Sequence, residues 1–277
     1  MKVSLFLYLI IMIFRQIVLF YYHLPFEKTP LIYLITFQIV LVEGFYLKDF
    51  CLHRQNFWKN IFMSISLFLL AIVILLGEEL LIFLIVSPEI ISPLFEYIST
   101  ISIFWLAAVA FIFQLLCVGI SEELFFRGYL FGKLDKSIGF LKSAILSSII
   151  FAFFHLSWYL FPYYPFIDIP GLIYRLAYTG LFGFVMCFIY KYSRSLIGPI
   201  LLHGIFNTVG SAISLTGDLT TIESIFSTYT YFQWGLLIVL EIIIVGLSAI
   251  LILKYLKKYI KLFGITGENE QEEKPKK

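Results

Sequence analysis

The sequence predicts an all-α protein, a polytopic transmembrane helical bundle of about eight spans with both termini in the cytoplasm. Three observations support this prediction. Hydrophobic residues make up 61% of the 277-residue chain and charged residues only 14%, which is too little charge to cover a soluble surface. Apolar runs as long as a bilayer-spanning helix recur along the chain. Basic and non-basic loops alternate between these runs, as the positive-inside rule requires.

The candidate spans are segments of about 20 mostly apolar residues. They are 3–22, 30–47, 58–77, 100–130, 142–160, 171–190, 196–214 and 233–256. The fourth is longer than one crossing needs, and a helix restart capped by Ser121 would explain its extra length. The first lacks a small-residue cleavage site, so we interpret it as a retained span rather than a removed signal peptide. Arg15 within it would snorkel or face the bundle.

Lysine and arginine concentrate in four regions, which are 48–59, 131–142, 191–195 and 254–261. The segments 78–99, 160–170 and 215–232 carry acidic residues but no Lys or Arg. We therefore expect an integral, multi-pass protein of the cell membrane whose basic segments face the cytoplasm. The predicted units are variable N-terminal spans (1–99), a core that carries the motifs below (100–215), a C-terminal span (216–262) and a disordered cytoplasmic tail (263–277).

The net charge of +2 gives no reason to expect nucleic acid as a partner, because no basic patch interleaved with aromatic residues lies outside the predicted cytoplasmic loops. The three cysteines, Cys51, Cys117 and Cys187, are scattered and form no CxxC pair. They are typical of small buried hydrophobic residues rather than of a disulfide or zinc framework.

Ionisable residues at membrane depth are costly unless they are paired or face a polar cavity, so each is a candidate functional residue. Three predicted spans carry such residues: Glu122 in the fourth, His155 in the fifth, and His203 with Asn207 in the seventh. Counted from the nearest predicted cytoplasmic Lys or Arg at about 1.5 Å per residue, all four lie roughly 13–20 Å into the membrane. The sequence therefore predicts a polar site assembled from three helices at one depth.

Helical geometry separates the adjacent glutamates, Glu122 and Glu123. Glu123 and Arg127 are four residues apart and share a helix face, so their spacing predicts an ion pair. Glu122 lies about 100° around the helix from Glu123 and faces elsewhere. The spacing thus predicts one carboxylate held in a structural pair and a second one available for chemistry.

Other polar residues have simpler interpretations. Glu78-Glu79 repeats the paired carboxylates, but Phe83 stands where Arg127 would be and the pair lies at a predicted outer boundary, so we expect it to be solvated. Arg175, near the start of the sixth span, is interpreted as an interfacial anchor. Three histidine and aspartate residues of predicted loops are also expected to be solvated: His23, His53 and Asp168.

The order and spacing of the polar residues resemble a known family. Three motifs carry the resemblance: Glu122-Glu123-xxx-Arg127, Phe151-xxx-His155 and His203-xxx-Asn207. In this order they resemble the motifs of the CAAX-protease and bacteriocin-processing (CPBP, or Abi) family of intramembrane endopeptidases, which includes the type II CAAX prenyl endopeptidases. One such motif occurs by chance, whereas three in order on separate spans are specific. The resemblance covers residues 100–215, and all three motifs are intact.

The resemblance implies a glutamate-dependent protease. Glu122 would be the general base that activates the attacking water, with His155 helping to hold it. His203 and Asn207 would stabilise the oxyanion of the tetrahedral intermediate. These roles suit the residue types, because a carboxylate in a low-dielectric site makes a better base and an imidazole and an amide are suitable donors to developing negative charge.

The resemblance also implies that Glu123 and Arg127 form the structural pair. The same family has been described as metalloproteases, and Glu122, His155 and His203 could ligate zinc, which favours histidine and carboxylate ligands. However, no HExxH helix is present, and the three ligands would come from three helices. We therefore expect a site without a metal or other cofactor, with zinc as the less favoured alternative.

The expected partners are the lipid bilayer and a peptide or protein substrate, whose C-terminal CAAX cysteine can be prenylated. Bacteriocin leaders and membrane proteins are alternative substrates, and the sequence leaves the oligomeric state open. Two other functions are compatible with the same residues: a non-enzymatic bacteriocin-immunity or scaffold protein, and a transporter with Glu and His as a proton relay. A relay would be expected to show two related halves, and the sequence contains no internal repeat.

Overall fold

The structure is a computed structural model that describes residues 6–7, 10, 28–44, 56–100, 110–156, 169–216 and 228–264. Every secondary-structure element within these ranges is a helix, which agrees with the predicted all-α class. The α-helices are α1 (Lys28–Glu43), α2 (Phe57–Val86), α3 (Ile91–Thr100), α4 (Phe140–Phe154), α5 (Ile169–Ser193), α6 (Ile197–Thr216) and α7 (Tyr231–Phe263). Between α3 and α4 lies a further helical stretch, residues 110–138, named here the glutamate helix; it ends in the α-helical segment Gly132–Ile138.

The predicted spans from the second to the eighth each coincide with one of these helices, with shifted ends. Both α2 and α7 are long and apolar enough to cross a membrane, and shorter apolar helices of the described part cover 32–41, 140–154 and 197–210. The predicted first span falls almost wholly outside the described residues. The count of eight spans and the cytoplasmic location of both termini therefore stay predictions.

The glutamate helix is continuous but not uniformly α-helical. Two π-helical segments, Leu115–Ile120 and Leu124–Phe131, flank the α-helical segment Ser121–Glu123. The expectation that Ser121 caps a restarted helix is wrong, because its backbone is α-helical and its hydroxyl donates to the Cys117 carbonyl oxygen at 2.6 Å. A serine inside a helix satisfies its hydroxyl on the preceding turn in this way. The wider π-helical turns, which are frequent at functional sites, therefore lie on both sides of the two glutamates.

The segments predicted to be cytoplasmic meet at one end of the bundle. Lys191 of α5 donates to Asp135 Oδ2 of the glutamate helix at 2.6 Å, and its ammonium lies 5.7 Å from the centroid of the Phe140 ring. A buried cluster joins the start of α2 to the ends of α5 and α7, and its members include Met63, Ile189, Leu256 and Tyr259. The described basic segments therefore share one side, as the alternation of loop charges predicts.

The opposite end is built from segments without Lys or Arg. The end of α2, the turn before α3 and the residue before the α7 cap share a second buried cluster, which comprises Ile82, Phe83, Val86, Ile90 and Tyr229. Thr230 caps α7, since its hydroxyl accepts from the Gln233 backbone N–H while the Gln233 side chain accepts from the Thr230 N–H. Capping and apolar burial thus define the helix boundaries at this end.

The expectation that Glu78 is solvated is wrong. The helix α2 continues past it to Val86, so Glu78 is half-buried, and Ser248 of α7 donates its hydroxyl to the Glu78 carboxylate. Glu241, a buried residue of α7, interacts electrostatically with the same carboxylate. The sequence interpretation ended the span at the first carboxylate, whereas apolar residues on both sides of Glu78 continue the helix.

Candidate active site

The Glu123–Arg127 pair predicted from residue spacing is present. Arg127 Nη1 donates to Glu123 Oε1 at 2.8 Å, and both side chains are almost completely buried. The guanidinium carbon also lies 4.3 Å from the centroid of the Phe151 ring of α4. A buried charge is tolerated only when it is paired, and the ring adds a cation–π contact. The pair therefore also connects the glutamate helix to α4.

His203 of α6 joins this pair, which the sequence did not predict. Its Nδ1 lies 2.7 Å from Glu123 Oε1, the oxygen that also accepts from Arg127. Because an ionised carboxylate only accepts, Nδ1 carries the hydrogen of this bond. The contact fixes the tautomer and orientation of the ring, with Nε2 on the opposite edge. No spacing rule reveals it, since it joins residues 80 positions apart on different helices.

Glu122 and His155 face each other across a short gap. His155 Nε2 lies 3.9 Å from Glu122 Oε2, and the Glu122 side chain is fully buried. The other ring nitrogen, Nδ1, lies 2.9 Å from the Phe151 carbonyl oxygen. A carbonyl oxygen only accepts, so Nδ1 carries a hydrogen, and Nε2 of the neutral ring presents a lone pair toward Glu122. The separation is too long for a direct hydrogen bond and suits a bridging water.

Phe151 contacts both histidines and the arginine. Its ring lies against the Arg127 guanidinium and makes edge contacts with the rings of His155, at 4.7 Å, and His203, at 5.9 Å. Its carbonyl oxygen also orients His155. The sequence identified Phe151 only as the first residue of a motif, because its central position depends on how three helices meet.

Glycines bring two of these helices close together. A Cβ on Gly119 of the glutamate helix would lie 2.7 Å from the Ile200 carbonyl oxygen of α6. A Cβ on Gly204 would lie 3.0 Å from a methyl carbon of Leu115. Small residues commonly allow such close approach between membrane helices. Gly119 and Gly204 therefore set the spacing that lets His203 reach the glutamate helix.

Asn207 lies one turn beyond His203 on α6 and is half-buried. Within the described residues, no hydrogen bond connects its side chain to Glu122, His155 or His203. The predicted site residues therefore form two groups, with Glu122 beside His155 and with His203 and Asn207 on one face of α6. Their catalytic roles stay predictions.

The remaining residues interpreted from the sequence lie apart from this site or outside the described ranges. Arg175 is half-buried on α5, and Cys187 is fully buried in the core. Residues 265–277 of the predicted tail lie outside the described residues. The same holds for four single residues: His23, Cys51, His53 and Asp168.

The zinc site that the resemblance also allows stays an alternative prediction. No group of three His, Cys, Asp or Glu side chains in the described part of the chain is arranged to hold a metal ion. Glu122 and His155 face each other, and His203 directs its Nδ1 to Glu123, which leaves Nε2 on the opposite edge of the ring. The mechanism proposed for these residues uses their own acid–base chemistry.

Comparison with known proteins gives the class to which the core of the chain is similar. Residues 103–209 match the Rce1-like type II CAAX prenyl endopeptidases, whose members are membrane proteins. The resemblance inferred from the three motifs is confirmed over this part of the chain.

A curated relative matches part of the same chain. The UPF0177 protein YxdF of Lactococcus lactis subsp. lactis (strain IL1403) is 32% identical over 100 residues, which cover 35% of this chain and 46% of the relative. The chain thus spans about half the length of the curated relative that it matches. No solved structure matches the chain.

Proposed function

We propose that the protein is an intramembrane, glutamate-dependent endopeptidase of the CAAX prenyl protease type. The observation that carries the proposal is that Glu122 faces His155 across 3.9 Å while Glu123 is engaged by Arg127 and His203. One carboxylate is thus held by donors, and its neighbour lies 3.9 Å from a ring nitrogen, so that a water beside the two atoms can contact both. A glutamate base needs this arrangement, and it lies in the segment that matches a CAAX protease family.

The first step is the activation of water between Glu122 and His155. A water donates one hydrogen to Glu122 Oε2 and the other to His155 Nε2, because both atoms accept. Its lone pairs then point away from both side chains, toward the carbonyl carbon of the substrate. As the water oxygen forms a bond to that carbon, Glu122 takes a proton from it and the electrons of the C=O π bond move to the carbonyl oxygen.

His203 and Asn207 stabilise the resulting oxyanion. The Asn207 amide always carries donor hydrogens. His203 donates from Nε2 only when its ring carries both hydrogens, because Nδ1 already donates to Glu123. Glu123 is then a positioning residue that acts through His203, and its negative charge stabilises the positively charged ring. This role is additional to its pairing with Arg127.

The tetrahedral intermediate collapses when its C–N bond breaks. The proton held by Glu122 passes to the leaving amine, the C=O π bond forms again, and the products are a carboxyl group and an amine. Glu122 returns to its ionised state, so the reaction consumes only the peptide and one water.

The proposed substrate is a peptide or protein cut within reach of a membrane face. The first candidate is a C-terminal CAAX sequence with a prenylated cysteine. An apolar cavity of about 70 Å³ lies between α2, α5, α6 and α7. Phe182, one of its lining residues, contacts the His203 ring at 5.2 Å. The apolar lining of this cavity, rather than its small volume, suits a lipid-modified substrate, because ligand pockets commonly measure roughly 300–1,000 Å³.

Cleavage of a quenched fluorescent farnesylated CAAX peptide by the purified full-length protein tests the proposal. Wild type is compared with Glu122→Gln and with Glu78→Gln, which makes the same change in another helix of the bundle. We expect cleavage by wild type and Glu78→Gln but not by Glu122→Gln. Equal cleavage by all three proteins would contradict the role of Glu122. No cleavage by folded wild type would reject this peptide and direct the search to bacteriocin leaders and membrane proteins.

Parallel reactions with a chelator and a phenotype assay test the alternatives. EDTA leaves the activity unchanged in the proposed mechanism, whereas inactivation by EDTA and recovery with zinc would establish the metal-dependent variant. A scaffold or immunity function predicts instead that Glu122→Gln preserves the phenotype and that Glu123→Ala is the more damaging substitution.

A further inference from the structure

Arg175 has no carboxylate partner within the described part of the chain. Arg127 pairs with Glu123 and Lys191 pairs with Asp135. No described carboxylate forms such a pair with Arg175, and its buried Nε–H has no acceptor among the described residues. A buried N–H without an acceptor is costly, and a cation at membrane depth marks a functional position by default. The observation points to an anion that comes from outside the described chain.

Arg175 stands on the face of α5 that leads to the candidate active site. Tyr178, one turn further along, interacts electrostatically with Arg175 and stacks on Phe182 with ring centroids 6.5 Å apart. Phe182 contacts the His203 ring at 5.2 Å. Tyr178 and Phe182 also line the apolar cavity between α2, α5, α6 and α7. A continuous aromatic face thus joins the guanidinium to the histidine proposed to stabilise the oxyanion.

The distance along this face corresponds to a short peptide. Phe182 lies seven residues after Arg175. The two residues are therefore about 10 Å apart along the axis of α5, at roughly 1.5 Å per helical residue. An extended chain advances about 3.3–3.6 Å per residue. About three residues of substrate therefore fit between the level of the candidate site and the level of Arg175.

We propose that Arg175 binds the C-terminal carboxylate of the substrate, at a distance from the site that fits the leaving group of three residues implied by the resemblance to CAAX proteases. This inference rests on the proposed endopeptidase function. A guanidinium can bind a carboxylate through two parallel charge-assisted hydrogen bonds, and every substrate cut near its C-terminus carries such a group. Arg175 is then a specificity-determining residue, whereas an interfacial anchor would have no contact with substrate.

A binding experiment tests Arg175 without requiring cleavage. Two farnesylated, fluorescently labelled CAAX peptides differ only in ending with a free carboxylate or an amide. Each is bound to full-length protein that carries Glu122→Gln, and binding is followed by fluorescence anisotropy. We expect the carboxylate peptide to bind about tenfold more tightly than the amide. Adding Arg175→Gln should weaken the binding of the carboxylate peptide only. Arg175→Lys should keep part of the preference for the carboxylate, because the positive charge remains although the planar guanidinium is lost.

Several outcomes would overturn the proposal. They are equal binding of the two peptides, binding of neither peptide, and a carboxylate preference that survives Arg175→Gln. If Arg175→Gln only lowers the yield of folded protein and the binding ratio of that protein is unchanged, Arg175 is a membrane anchor.

Cleavage of the same peptides by protein with Glu122 intact separates this proposal from the proposed function. Cleavage of both peptides at equal rates would support the endopeptidase and reject the role of Arg175. Carboxylate-selective binding without cleavage would support Arg175 and reject these peptides as substrates. In a series of peptides whose leaving groups contain two to five residues, the proposal predicts the highest kcat/KM for a leaving group of about three residues.

Discussion

Within the described helices, the dipeptide Glu-Glu occurs twice, at 78–79 and at 122–123, and the two pairs differ in what surrounds them. Arg127 lies one turn after the second pair, whereas Phe83 holds the corresponding position after the first. The second pair therefore has a buried guanidinium 2.8 Å from one carboxylate. The first pair receives a hydroxyl from Ser248 instead.

This comparison shows that side chains from other helices determine the chemistry that is available to each carboxylate pair. The second pair receives His155 from the C-terminal cap of α4 and His203 from α6, and a histidine can donate or accept a hydrogen according to its tautomer. The first pair receives a hydroxyl and the like charge of Glu241 from α7. The serine hydroxyl joins α7 to α2 by a hydrogen bond, but neither it nor a second carboxylate provides a cation or an imidazole.

The largest difference between the two pairs is expected in kcat/KM when one glutamate of each pair is replaced by the neutral glutamine. Glu122→Gln removes the proposed base and should lower kcat/KM for the fluorescent peptide by about 10²–10⁴-fold. Glu78→Gln should leave kcat/KM unchanged. Steady-state cleavage assays, with circular dichroism to verify folding, check both variants. A similar loss of kcat/KM in both variants would show that these carboxylates support the structure rather than take part in the reaction.

The next largest effect concerns the residue one turn after each pair. Arg127→Met leaves the Glu123 carboxylate buried without its guanidinium, which should lower the free energy of unfolding by about 3–5 kcal/mol. Phe83→Met at the corresponding position should cost less than about 1.5 kcal/mol because volume and polarity are nearly conserved. Unfolding of the variants in detergent measures both values. The double variant Glu123→Gln/Arg127→Met should be more stable than Arg127→Met alone, and the opposite order would refute the ion pair as the cause.

A glycine near each pair tests whether helix spacing matters for the site. Gly119→Ala would place a Cβ 2.7 Å from the Ile200 carbonyl oxygen, which forces the glutamate helix away from α6. Since a displacement of about 1 Å can cost roughly 10²-fold in rate, a loss of kcat/KM of that order is expected. The matched control is Gly77→Ala, where a Cβ would meet nothing among the described atoms within 4 Å. Unchanged kinetics of Gly119→Ala would mean that the close contact does not position the site.

The smallest effect is expected from Ser248→Ala. The variant removes one hydrogen bond to Glu78, so the free energy of unfolding should fall by about 1 kcal/mol. The hydrogen bonds of Ser248 among the described residues go to Glu78 and Ile244, and it lines only the apolar cavity, so kcat/KM for a peptide without a lipid chain should not change. Thermal unfolding and peptide cleavage on one preparation measure both quantities, and a loss of activity would link the Glu78 region to the site.

The helical positions of the site could be predicted because they depend on local rules. Spacing of four residues placed Glu123 beside Arg127, and equal depth placed Glu122 and His155 in one layer. The contact of His203 with Glu123 could not be predicted, because the rotation of α6 about its axis is set by packing between helices. The central position of Phe151 has the same origin.

The errors at Ser121 and Glu78 have a common cause. The sequence predicts a helix boundary at each residue because a polar side chain often marks one. In the structure, each polar group has a partner that lets the helix continue: the Cys117 carbonyl oxygen for Ser121 and the Ser248 hydroxyl for Glu78. A partner one turn back or on a distant helix is not visible in the local sequence pattern.

The contact between Gly119 and α6 determines when the candidate site is completed during synthesis and membrane insertion. The residues that meet at the site are separated by 80 positions, so the glutamate helix is synthesised and can enter the membrane well before α6 exists. Until α6 packs against Gly119, Glu123 lacks its histidine and the chemical centre is incomplete. In the proposed mechanism, the nascent chain is therefore inert toward neighbouring membrane proteins during its insertion, and reactivity arises only with the late docking of α6.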